Sequence, residues 1–156
     1  MNGIHHYFSE IIWTGNRGIG TTNYKSYDRD YTIHINNKTI IQGSSDAAFR
    51  GDSTKHNPEE LLLVSLSSCH MLWYLHLCSE EGIIVTEYID NAKGEMKEEP
   101  NGCGRFVSVT LFPKVTITEK AWIEKAEALH KKANQMCFIA NSVNFPVYHK
   151  PTIIYK

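Results

Sequence analysis

The sequence predicts an α+β fold on three observations. A punctuated helix start stands at Asn57-Pro58, a second apolar stripe with spacings of three and four follows Thr118, and short alternating apolar runs flank both. At 156 residues the chain is expected to form one domain, 1–156, large enough to bury a core.

Residues 7–13 mix polar and apolar side chains as an edge strand does, and Gly15, Gly18 and Gly20 then mark a turn. A second strand is predicted over 31–35, where Tyr31, Ile33 and Ile35 alternate with polar residues, and Asn36-Asn37 turns the chain into 39–41. Residues 43–56 are polar and loop-like. Asn57 then suits a helix N-cap, Pro58 the first helical position, and Glu59 and Glu60 the positive end of the helix dipole. The body over 61–78 is apolar nearly all round, which predicts a centrally buried helix ended by Gly82.

Strands are predicted over 83–96 and 106–117, the second carried by Val107, Val109 and Leu111. Thr118 is a candidate cap for a second helix running to about Met136, with the stripe Trp122, Ala126, Leu129, Ala133 and Met136 facing inward. A last strand takes in Val147 and residues 152–155.

Sixteen basic and seventeen acidic side chains are spread evenly, with no basic block, so nucleic acid and anionic membrane are not expected partners. The longest strongly apolar run, 61–66, is too short to span a bilayer. The first residues lack the basic and apolar pattern of a secretory signal. Four cysteines without regular spacing do not resemble a secreted disulfide framework. The expected location is the cytoplasm, where a cysteine pair is more often catalytic than structural.

Cys69 and Cys137 are the candidate chemistry. Each could be an inert buried cysteine, because the thiol packs as a small hydrophobe. A reactive Cys69 needs a cation to stabilise its thiolate, and Arg50 and Arg17, both in glycine-containing loops, are the candidates. Glu59 could orient such an arginine. Ten helical residues rise roughly 15 Å, so Glu59 cannot touch Cys69 of its own helix; a long arginine bridges the gap or the carboxylate arrives from a second subunit, and the second subunit is favoured, which makes a dimer part of the mechanism. Cys137 would resolve a Cys69 sulfenic acid by closing a disulfide, if the two helices pack closely enough. Cys78 is expected in the core and Cys103 on an exposed turn. His70, His76, His130 and His149 show no metal-ligand spacing and are expected to be packed or hydrogen-bonded, with no metal site. Trp73, one turn after Cys69, could wall an apolar pocket.

These segments resemble the OsmC/Ohr family, named for osmotically inducible protein C and organic hydroperoxide resistance protein. The resemblance is carried by Asn57-Pro58-Glu59-Glu60-Leu61 with Cys69 eight residues further on. Cys137-Phe138-Ile139-Ala140-Asn141-Ser142 and the opening Trp13-Thr14-Gly15-Asn16-Arg17-Gly18-Ile19-Gly20 add to it. Phe138 stands where the family usually has proline, and His70, Trp73, Tyr74 and His76 make the first helix bulkier than is typical.

The resemblance implies an intertwined homodimer with two central helices packed against antiparallel β-sheets. It also implies reduction of organic hydroperoxides without cofactor or metal, reset by a dithiol reductant such as a lipoylated protein. Cys69 would be peroxidatic, Cys137 resolving, and Glu59 would hold the activating arginine, for which Arg50 is favoured over Arg17. Two other readings stay open: a thiol/disulfide exchange enzyme on the same cysteines, and a non-catalytic, redox-sensing small-molecule-binding protein.

Overall fold

Residues 3–156 are described by a computed structural model. The chain divides inside its first long helix into two compact units, one ending at Leu61 and the other spanning Leu62–Lys156.

The first unit carries an antiparallel sheet in the order β1 (Glu10–Trp13), β2 (Tyr31–His34), β3 (Ile41–Gly43). Asn37, at φ 60°, makes the turn between β2 and β3, and the Lys38 N–H donates to the Ile35 carbonyl at 3.0 Å. Gly43 pairs with Tyr31, whose ring fills the space a Cβ would need; the nearest ring atom would lie 2.3 Å from it. The polar segment after β3 is not wholly irregular. It contains a short 3-10 helix, Ala47–Phe49, capped by Asp46 and left through Arg50 at φ 65°.

Helix α1 spans Pro58–Glu80. Its start is a capping box: the Glu60 N–H donates to Asn57 Oδ1 at 2.8 Å, and the Asn57 N–H donates to Glu60 Oε2 at 3.2 Å. Glu60 thus has a task beyond dipole complementation. The expectation of central burial is corrected. α1 buries one face, formed by Leu66, His70, Tyr74, Leu77 and Cys78, while Val64 and Leu72 remain 61% and 62% exposed. An all-round apolar sequence says nothing about how many faces a single chain can cover. At 23 residues α1 is also long and apolar enough to cross a membrane by length and composition, because serines and histidines interrupt its apolar character only mildly.

In the second unit both long strand predictions split. Residues 83–96 become β4 (Val85–Asp90) and the first part of β5 (Lys93–Glu98), broken at Asn91-Ala92. The next segment becomes β6 (Gly104–Leu111) and β7 (Pro113–Ile117), broken at Phe112 by a proline that suits only a strand start. Helix α2 covers Ile123–Met136. Thr118 does not cap it: Glu119 and the 3-10 turn Lys120–Trp122 come first. Two short strands, β8 (Val147–His149) and β9 (Thr152–Tyr155), finish the chain.

The sheets are β4-β7-β9 and β5-β6-β8, and neither is purely antiparallel as expected. β4 pairs with β7, and β5 with β6, antiparallel; β9 joins β7, and β8 joins β6, in parallel. The cause is the crossover: a chain that leaves β6 and β7 through a helix returns running the same way. One core joins Tyr74, Leu77 and Cys78 of α1 to Val115 and Ile117 of β7 and to Ala126, Leu129 and Ala133 of α2. A second gathers Leu66 with Val109 and Leu111.

Candidate active site

Cys69 projects from the middle of α1 and is partly accessible; Cys137 is the residue that ends α2 and is 1% exposed. The structure makes them neighbours, close enough for the Cys69 thiol to act on the Cys137 thiol, and both are free. Cys137 leaves the helix with extended backbone (φ −68°, ψ 111°), and the chain turns back over it: the Ala140 N–H points at Sγ from 3.4 Å, and the Asn141 N–H donates to the Cys137 carbonyl at 3.0 Å. Burial first, and the neighbouring Cys69 thiol second, push the Cys137 thiol up to about 11, against partial relief from the Ala140 N–H. The pair is therefore asymmetric, with one accessible thiol and one buried, reluctantly ionised partner.

An aromatic wall stands beside them. Trp73, one helical turn beyond Cys69, meets Phe138 edge to face at 5.7 Å between ring centroids. Phe138 is mostly exposed, although it directly follows the buried Cys137.

The arginines belong to the first unit. Arg17 is committed to its own turn: Nε donates to the Ser26 carbonyl at 3.3 Å, a second nitrogen donates to the Lys25 carbonyl, and Asp28 Oδ1 lies 3.7 Å from Nε. Arg50 is exposed, with its guanidinium 5.9 Å from the Tyr24 ring centroid. It forms no ion pair with Glu59 within this unit. Glu59 instead lies near Tyr31, whose phenol is raised by burial and then by the Glu59 charge.

The group that sequence reasoning set aside is a buried histidine cluster. His70 Nε2 and His130 Nδ1 are hydrogen-bonded at 2.9 Å, with the ring planes 9° apart. Tyr74 stacks on His130 at 3.8 Å, and the His149 ring lies 5.7 Å from His70 and 6.2 Å from His130. Burial drives the His70 ring down to about 4, helped by His149, and the His130 ring to about 3, helped by His70 and His149. Both rings are neutral at ordinary pH. Among the described residues no set of three or more His, Cys, Asp or Glu can hold a metal. One signal was available in the sequence: His130 occupies the inward stripe of Ala126, Leu129 and Ala133, where an apolar residue is the default. Cys78 is buried and Cys103 exposed, as their surroundings suggested.

The sequence pattern of the family described as OsmC-like protein matches residues 51–150. No curated protein matches the chain. Among solved structures, an OsmC-like protein of unknown function from Vibrio cholerae is 27% identical with a TM-score of 0.86, covering 96% of this chain and 100% of its own. An organic hydroperoxide resistance protein from Elizabethkingia anophelis is 18% identical with a TM-score of 0.71, covering 100% of both chains. One from Legionella pneumophila is 14% identical with a TM-score of 0.66, covering 97% of this chain and 98% of its own.

Proposed function

The chain belongs to the OsmC-like protein family, and from that premise we propose that it is a thiol-dependent peroxidase reducing organic hydroperoxides. The observation that carries the reading is the facing pair, an accessible Cys69 beside a buried Cys137. The words organic hydroperoxide resistance in the names of two fold relatives support it.

In the proposed cycle the Cys69 thiolate attacks the distal peroxide oxygen. The O–O bond breaks, the alcohol leaves with a proton, and Cys69 becomes a sulfenic acid. Cys137 then attacks the Cys69 sulfur, water leaves, and a Cys69–Cys137 disulfide forms. A dithiol reductant, such as a lipoylated protein, supplies two electrons and two protons to restore the thiols. Arg50, anchored by Glu59, is the proposed guanidinium that stabilises thiolate and the charge developing on the peroxide oxygens; the family resemblance supports that assignment. A second copy of the chain is the proposed occupant of the exposed apolar face at Val64 and Leu72, which supports a homodimer. The cytoplasm remains the proposed location.

The test is rapid mixing of reduced protein with cumene hydroperoxide, with peroxide loss and thiol loss followed together. Wild type should consume peroxide and lose two thiols per chain. Cys69→Ser should do neither, and Cys137→Ser should reduce one equivalent and stop at a sulfenic acid. Equal consumption by wild type and Cys69→Ser would reject the proposal.

A further inference from the structure

The histidine cluster lies on the same two helices as the thiols. His70 follows Cys69 in α1, and His130 precedes Cys137 by seven residues in α2. Along α1 the two side chains are neighbours in height but point about 100° apart; along α2 the two positions are separated by about 10 Å on one side of the helix. Contacts pairing Cys69 with Cys137 and His70 with His130 are compatible only if α2 runs across α1, not alongside it. The crossing is therefore gripped at two points, one sulfur to sulfur and one nitrogen to nitrogen.

The nitrogen contact is the more enclosed of the two, since Cys69 is partly accessible. Both histidines are essentially inaccessible, at 1% and 0% exposure, and Tyr74 and His149 hold the rings from their faces. Two neutral imidazoles joined by one N–H···N bond must divide their roles: of the outer nitrogens, His70 Nδ1 and His130 Nε2, one carries a hydrogen and the other a bare lone pair. Neither has a hydrogen-bond partner among the described residues. Two buried polar atoms left unsatisfied would be costly in a pair with no task beyond filling space, and two leucines would fill the space.

We propose that the His70–His130 hydrogen bond is a strut that sets the spacing of the thiols, making both histidines positioning residues for the Cys69–Cys137 disulfide. The proposal rests on the pairing of those two cysteines. Holding two thiols at bonding distance raises their effective concentration, and the disulfide equilibrium constant rises in proportion. Without the strut the same residues would pair less favourably, although both thiols would still be present.

The full-length protein is equilibrated in mixtures of oxidised and reduced dithiothreitol, and the disulfide fraction is read by acid quench, alkylation and mass spectrometry. In that exchange the two protein thiols pass two electrons and two protons to oxidised dithiothreitol, whose S–S bond breaks as the protein's forms. His130→Phe keeps a ring against Tyr74 but cannot bond His70, and its constant should fall about tenfold below wild type. His130→Asn, whose amide nitrogen or oxygen reaches the position of Nδ1, should stay within about threefold of wild type. Leu129→Ala, a truncation in the same buried stripe of α2 that leaves the His70–His130 bond in place, should lose stability without moving the constant.

A His130→Phe constant within about twofold of wild type overturns the strut alone. A wild type that forms no disulfide in any mixture overturns the cysteine pairing and the strut with it. Neither result depends on peroxide turnover, so failure of the peroxidase reading is seen separately. Should His130→Phe not fold, the wild type still decides. The nitrogen–nitrogen coupling across the His70–His130 bond should appear by NMR in both the reduced and disulfide forms, and its absence from the disulfide form overturns the proposal.

Discussion

His70 and His130 share one hydrogen bond at 2.9 Å in the core, and burial keeps both rings neutral far below the ordinary imidazole range. The unfolded chain would take up protons near pH 6.5, whereas the folded rings resist until about 4 and 3. Depressed folded values mean that stability is fully present above pH 6.5 and lost as pH falls below it. The loss should approach about 1.4 kcal/mol per pH unit for each histidine. Urea unfolding at pH 7.5, 6.5, 5.5 and 4.5 should show a flat region and then a decline, and a His70→Phe/His130→Phe double variant should flatten the decline. A wild-type midpoint that rises on acidification to pH 5 would contradict this account.

Cys137 sets a different pH dependence. Its thiol is pushed up to about 11, so at neutral pH little of it is ionised. Closure of the disulfide on oxidised Cys69 should therefore speed up about tenfold for each unit between pH 7 and 9, following the thiolate fraction. Stopped-flow tryptophan fluorescence after one equivalent of hydroperoxide gives the rate, and a pH-independent closure would be the contrary result.

Arg50 and Arg17 differ in what already holds them. Arg17 is tied to two backbone carbonyls and approached by Asp28, whereas Arg50 is exposed beside Tyr24. Arg50→Ala should lower kcat/KM for hydroperoxide by roughly 100-fold, in line with the loss of one charged donor from a reacting centre. Arg17→Ala should act mainly on stability, through its turn. Comparable losses in kcat/KM from the two substitutions would reassign the guanidinium.

The Asn57–Glu60 capping box makes a prediction independent of chemistry. Asn57→Ala removes the acceptor for the Glu60 N–H and should cost about 1 kcal/mol of stability by chemical denaturation. Asn57→Asp retains an acceptor and should lose much less. An alanine variant as stable as wild type would show that water caps the helix equally well.

Val64 and Leu72 lie two turns apart on α1 and expose apolar surface to solvent in the single chain. If a second copy covers them, Val64→Lys/Leu72→Lys should shift the protein from dimer to monomer in sedimentation velocity. Two monomeric proteins, wild type and variant alike, would remove the second copy from the mechanism.

Local signals were the legible ones. Asn57-Pro58, Gly82 and the alternation around Tyr31 and Val109 each announce themselves within a few residues, and the two ends of α1 and the strands β2 and β6 follow. The break at Phe112 was also written locally, in Pro113, but an uninterrupted apolar alternation masked it. Pairing direction was not legible, because β8 and β9 find their partners across an entire helix. The histidine cluster was hidden for the same reason: His70 and His130 are 60 residues apart, and no short spacing connects them. The cysteines stood out only through the segments around them, since a lone buried thiol has no pattern of its own.

The parallel closing strands place a burden on the end of the chain. Before Val147 is available, β4 with β7 and β5 with β6 are two-stranded pieces, which are marginal in water by themselves. Each gains its third member from the final ten residues, so one short tail completes both sheets. Neither sheet can be completed until β8 and β9 have been made. Truncation before Thr152 would leave one sheet short of a strand, and truncation before Val147 would leave both short.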